Sequence, residues 1–223
     1  MASSPAAARP VRSFVAIEVE EPARAAIAAY VETLRRRVEH VAWTAPENLH
    51  VTLTFLGGVA AEHLVALAER LAIIAAAQSP FTVTYAGVGA FPSATRPQVL
   101  WVGAAAPQLA PLAAIVDDAA ATAVGVERDH RPYHPHVTLG RVRHRERARG
   151  REAPRDDPAP RDGATPRDRA AAGATTRPRD VVAADARRAF GVAPGAALVL
   201  FRSDTGPAGA RHTPLARFAL GYE

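Results

Sequence analysis

Two residue types are missing from this 223-residue chain, and each absence closes off some chemistry. Without cysteine there is no disulfide framework and no thiolate to act as nucleophile or metal ligand. Without lysine no nucleotidyl-lysine adduct can form, which excludes an ATP-dependent ligase of that type. No window approaches the roughly 18 uninterrupted apolar residues of a membrane span. The opening MASSPAAARP also lacks the apolar stretch of a signal peptide. A soluble cytoplasmic protein is expected, long enough for one sizeable domain or two small lobes.

All 27 basic residues are arginine, giving a net charge of +5. The excess is local. Between Arg141 and Asp180 there are 12 arginines against 7 acidic residues, which leaves 15 of each sign elsewhere. A folded part that is formally neutral has no general nucleic-acid footprint. Residues 144–180 contain no Val, Ile, Leu, Met, Phe, Trp or Tyr. Such a stretch buries too little apolar surface to offset its ordering entropy, so a disordered, solvated insertion is expected there.

Elsewhere strand and helix patterns alternate. RSFVAIEVE (12–20) reads as a strand, and residues 21–38 as a helix whose face is Ile27, Tyr30, Val31, Leu34 and Val38. Strand patterns follow at 49–57, 81–91, 98–104, 136–142, 196–203 and 211–222, with PSATRP as the turn of a central hairpin. Helical patterns lie at 61–77, at 107–124 ahead of Gly125, and near 181–190.

One tetrapeptide occurs twice. His-Val-Thr-Leu stands at 50–53 and again at 136–139, each time closing a strand–helix–strand unit. From Phe14 to His50 is 36 positions, and from Trp101 to His136 is 35. Duplicated units facing one another would bring the motifs into a shared cleft. Side chains alternate along a strand, so His50 and Thr52 project together, as do His136 and Thr138, with Val and Leu behind them. A lone strand histidine is more often an ordinary surface or core residue; two copies ending equivalent units point to function.

Two imidazoles supply a general acid and a general base near neutral pH. Two threonine hydroxyls can donate to the non-bridging oxygens of an anion between them, and Arg141 can offset its charge. These parts fit in-line attack of water on a phosphodiester, with no metal required. His134 and His136 form an H-x-H pair, but no third ligand stands at a recognisable spacing from them, so no metal site is expected.

The paired motifs resemble those of the two-histidine phosphoesterases. Within that superfamily the chain is most similar to the RNA 2′,3′-cyclic phosphodiesterases, also named 2′–5′ RNA ligases. RSFVAIEV, NLHVTLTFLGGV, GVGAFPSATRPQVLWVG, RPYHPHVTLGRV and LVLFRSDTGPAGARHTPLARFAL all fit, so the likeness runs from Arg12 to Leu220 and departs only at 144–180. It implies a single bilobal α+β domain over 12–222, with two pseudo-symmetric antiparallel sheets, helices on their outer faces and a central cleft. It further implies opening of RNA 2′,3′-cyclic phosphate ends to 2′-phosphates. His50 would be the proton donor and His136 the acceptor; Thr52, Thr138 and Arg141 would hold the phosphate. No cofactor, metal or obligate protein partner is implied; the partner is an RNA with a cyclic phosphate terminus, bound by a monomer.

Other substrates fit the same site: a small cyclic nucleotide or a 2′–5′ linked oligonucleotide. The same acid–base pair could also serve reversible joining of ends through a 2′–5′ bond, with a 5′ hydroxyl in place of water. A non-catalytic RNA-end binding module is the competing class, although binding alone needs no pair of titratable groups. For base stacking, Phe14, Trp43, Phe55 and Tyr133 are the candidates.

Overall fold

The first strand, β1 (Val11–Glu18), carries the run Phe14-Val15-Ala16-Ile17, every member of which is buried. Such a run has both faces covered. Val15 and Ile17 join the main core, while Phe14 and Ala16 join a small second cluster with Val199 and Phe201 on the opposite face. That second face is the one the histidines share.

A computed structural model describes residues 9–128, 131–143, 176–206 and 209–221. After β1 come α1 (Ala23–Arg35), β2 (Val41–Trp43), a 3-10 turn (Pro46–Asn48), β3 (His50–Val59), α2 (Ala61–Ala76), β4 (Phe81–Ser93), β5 (Arg96–Ala105) and α3 (Leu109–Val124). Then follow β6 (His136–Val142), α4 (Pro178–Asp185), β7 (Ala189–Gly195), β8 (Ala197–Gly206) and β9 (Gly209–Ala219). The strands run in the order β7-β4-β5-β6-β3-β1-β8-β9, with β2 also paired to β6, and every pairing is antiparallel.

The architecture is the expected α+β one, with two pseudo-symmetric antiparallel halves: β3-β1-β8-β9, and β2/β6-β5-β4-β7. The halves meet edge to edge at β3 and β6, where Val51 and Val137 are register partners. The helices cross that seam. α1 joins β1 to β3 yet packs on β7, and α3 joins β5 to β6 yet packs on β3. One contiguous core therefore spans both halves, from Ile17 and Leu53 to Tyr85, Leu100 and Leu139.

α1 buries Ala23, Ile27, Tyr30, Val31 and Leu34 at helical spacing. α3 stops at Gly125, whose φ of 73° suits a residue without Cβ and lets its N–H reach the Ala121 carbonyl at 3.1 Å. Two strands were not legible in the sequence. β2 is only three residues long, and β7 carries Gly191, Pro194 and Gly195, which its place at the edge of the sheet tolerates.

Of the expected insertion, residues 144–175 lie outside the described residues, while Pro178, Arg179 and Asp180 form the first turn of α4. The flanking residues are tied close together. The Arg143 N–H donates to the His40 carbonyl at 2.7 Å, and the Thr176 N–H to the Arg37 carbonyl at 2.9 Å. Beyond them, the Tyr30 hydroxyl donates to Asp185 at 2.8 Å and the Arg188 guanidinium lies 4.6 Å from the centre of the Tyr30 ring, fixing the end of α4 to α1. Replacing residues 144–175 by a short Gly/Ser linker is expected to leave a single cooperative melt within a few degrees of the parent. Loss of that transition in differential scanning calorimetry would show that the segment contributes to the fold.

Candidate active site

β3 and β6 run antiparallel, and their register sets Val51 opposite Val137, both fully buried. An antiparallel pair has a local twofold axis, so this pairing sets His50 toward Thr138 and Thr52 toward His136. The axis passes between the two valines. The duplicated tetrapeptides thus form one four-residue constellation on the concave face, with both imidazoles and both hydroxyls partly exposed there. The Tyr133 hydroxyl adds a tie across the seam by donating to the Thr52 carbonyl at 3.0 Å.

The two histidines are held alike. His50 Nδ1 lies 2.7 Å from the Asn48 carbonyl, and His136 Nδ1 lies 2.7 Å from the His134 carbonyl, in each case two residues upstream. A carbonyl oxygen only accepts, so Nδ1 carries the proton and each neutral ring keeps its lone pair on Nε2. Aromatic neighbours fix the ring planes. His50 stands 4.7 Å from Phe14 and 5.2 Å from His212, and His136 stands 5.0 Å from Phe91, with Trp101 bridging Phe91 and His134.

A shared irregularity closes each motif. Val15 pairs with Thr54 and Ala16 with Thr52, so Leu53 is an extra residue in β3; Leu100 pairs with Gly140 and Trp101 with Thr138, so Leu139 is an extra residue in β6. Each is a β-bulge, and each changes the alternation, burying two successive residues and turning the next one outward. The residues turned outward are Phe55, 63% exposed, and Arg141. The register equates Ala16, and not Phe14, with Trp101. Phe14 is a buried floor beneath His50 and cannot stack a base; Trp43 packs over Gly140 and Tyr133 serves the seam. Of the four aromatic candidates Phe55 is the exposed one.

Burial pushes His50 down to about 4, with the nearby imidazoles of His212 and His136 adding to the lowering and the Asn48 carbonyl opposing it. Burial also lowers His136, and the His134 and Arg141 side chains add to that while the His134 carbonyl opposes it. Both rings are therefore neutral at pH 7, and an anion bound between them raises each. Such a pair can take a proton from one oxygen and return one to another across a phosphorus centre.

Comparison with known proteins places the chain in a family. The family described as LigT-like phosphoesterase matches residues 17–101. A protein of Archaeoglobus fulgidus named RNA 2′,3′-cyclic phosphodiesterase is 37% identical over 134 residues, covering 60% of this chain and 73% of its own length. This chain belongs to the LigT-like phosphoesterase family. A Geobacillus stearothermophilus relative of the same name is 32% identical over 130 residues, which span 57% of this chain but 41% of that protein. Among LigT-like folds of known structure, E. coli LigT in complex with 3′-AMP superposes with a TM-score of 0.64 at 27% identity, over 95% of this chain and 98% of that one.

Some of the site was missed in the sequence. His212 stands at no recognisable spacing from either motif, and the pairing of β8 with β9 carries it to His50. Asn48, Phe91 and Trp101 carried no motif of their own. Among the described residues no group of three or more His, Cys, Asp or Glu could hold a metal, and no helix is long and apolar enough to cross a membrane.

Two outcomes are expected. A Cβ on Gly140 would meet Val41 at 2.7 Å and the Ala42 carbonyl at 2.9 Å, so Gly140→Ala should cost about 1–3 kcal/mol in urea denaturation. An unchanged midpoint would mean that β2 moves aside freely. His50 in the folded protein titrates below its ordinary 6.5, so the unfolded chain binds more protons as pH falls through that window toward 4. Stability should therefore drop by on the order of 1–2 kcal/mol from pH 7 to pH 5 through this group, allowing for its partial exposure. His50→Gln should flatten that dependence, and a variant as pH-sensitive as the parent would contradict it.

Proposed function

We propose that this chain hydrolyses the 2′,3′-cyclic phosphate ends of RNA to 2′-phosphates, using His50 and His136 as acid and base. The observation that carries this reading is the twofold arrangement about Val51 and Val137, which offers an Nε2 and a hydroxyl from each side of one site. The names of the Archaeoglobus and Geobacillus relatives supply the substrate class.

In this reading His136 Nε2 takes a proton from water as the water oxygen bonds to phosphorus. The P–O3′ bond breaks in line, and His50 gives its Nε2 proton to the departing 3′ oxygen. The product is a 2′-phosphate with a free 3′ hydroxyl, and solvent resets the two rings. The order of the two histidines follows the family resemblance, because a twofold site does not order them. The phosphate's own charge draws the proton onto His50, and burial then makes that proton easy to give up. Thr52 and Thr138 donate to the non-bridging oxygens, and Arg141 offsets their charge. Phe55, exposed beside Phe14 at 6.2 Å, offers a face for the terminal base. The acid–base balance closes without a metal, and the lack of cysteine suits the cytoplasm.

A small nucleotide is the second reading, favoured by the 3′-AMP bound to E. coli LigT and by the neutral charge balance outside the 141–180 stretch.

The test is turnover of a short RNA ending in 2′,3′-cyclic phosphate, in EDTA, with the terminal phosphate identified by mass and chromatography. His50→Ala and His136→Ala should each lower kcat/KM by about 10²–10⁴, and Thr52→Ala or Thr138→Ala by about 10–100-fold. A 3′-phosphate product, or full activity in either histidine variant, would sink the mechanism. Cyclic-end RNA bound without turnover would favour the binding module.

A further inference from the structure

The two motifs present the same imidazole and the same hydroxyl, yet acid–base chemistry needs the rings to behave differently at the same moment. Their surroundings supply the difference. Asn48 makes three contacts on the His50 side. Its carbonyl accepts from His50 Nδ1, its Nδ2 donates to the Ala210 carbonyl at 2.9 Å, and its Oδ1 accepts from the His212 N–H at 3.2 Å. The side-chain amide thus pairs with β9 as a neighbouring strand would, fixing the Asn48 backbone against a strand more than 150 residues away. The same clamp seats the His212 ring edge-on to His50, with centroids 5.2 Å apart and planes at 87°. Phe14 lies 4.9 Å from that ring, and among the described residues His212 Nδ1 is buried without a hydrogen-bond partner. In the other half the matching carbonyl belongs to His134, whose ring packs on Trp101 and Phe91.

We propose that Asn48 and His212 form a positioning unit that sets His50 apart from His136, Asn48 by fixing the acceptor of its Nδ1 proton and His212 by opposing positive charge on the ring. The part this gives His50 in catalysis rests on the function proposed above. The charged groups around His50 single out His212. β6 brings His136, the ring's symmetry mate. β1 places Glu18 opposite His50 in register, and Glu18 is neutralised by an ion pair with Arg217 of β9. β8 contributes Phe201, which is uncharged. His212 is the remaining titratable neighbour; burial holds it below the ordinary histidine value, so its charge bears on His50 as the pH falls.

The two members act in opposite directions. The Asn48 carbonyl favours the protonated ring, so freeing it lowers the titration of His50; the His212 charge disfavours it, so removing His212 raises that titration. A merely structural role would not split the signs.

The experiment is a ¹⁵N NMR titration of the histidines in the full-length protein, for the parent, Asn48→Ala and His212→Gln, beside the pH–rate profile on cyclic-end RNA. The parent His50 should be the Nδ1–H tautomer. Asn48→Ala should mix the tautomers, titrate lower and lose about 10–100-fold in kcat with little change in KM. His212→Gln should keep the tautomer and titrate higher. Should Asn48→Ala fail to fold, the upward shift in His212→Gln decides alone. Shifts in one direction, or none, would overturn the proposal. The expected NMR changes without RNA turnover would leave the positioning unit standing and remove the function assigned above.

Discussion

The whole site depends on one contact between strands, the pairing of β3 with β6 at Val51 and Val137. Each valine is sealed into the core, and the residues on either side of it face the opposite way, into the cleft. A slip of one residue in either strand would turn its histidine and threonine into the core and its valine and leucine outward. Burial of the valines therefore specifies the site. The apolar half of each His-Val-Thr-Leu holds the register that its polar half needs.

Symmetry delivers matched groups, and departures from symmetry make them useful. The bulges at Leu53 and Leu139 are the same device used twice, but one turns an aromatic ring toward the cleft and the other a guanidinium. In the function proposed above, the base of a nucleoside cyclic phosphate would lie on Phe55 and its charged phosphorus beside Arg141. Around the histidines the same division recurs, with the Asn48 clamp and His212 beside one ring and Phe91 with His134 beside the other.

The sequence made legible what is local or repeated. The alternating strand and helix periods, the Gly125 stop and the duplicated tetrapeptide are properties of short stretches, and the family resemblance followed from them. Features set by long-range pairing were hidden. His212 reaches His50 only because β9 folds back on β8, and Asn48 acquires its clamp from the same event. Equating Phe14 with Trp101 by spacing misplaced the units by two residues, since a bulge shows in pairing and not in composition. β7 escaped notice because glycine and proline, which argue against a strand, are tolerated at a sheet edge.

The crossing of helices over the seam ties the two halves together. α1 leaves β1 to pack on β7 and α3 leaves β5 to pack on β3, so each half is covered by a helix that the other half's chain delivers, over one core that holds Leu53, Leu100 and Leu139. Neither half can bury its apolar face until the chain of the other has been laid down, which makes the two halves one cooperative folding unit.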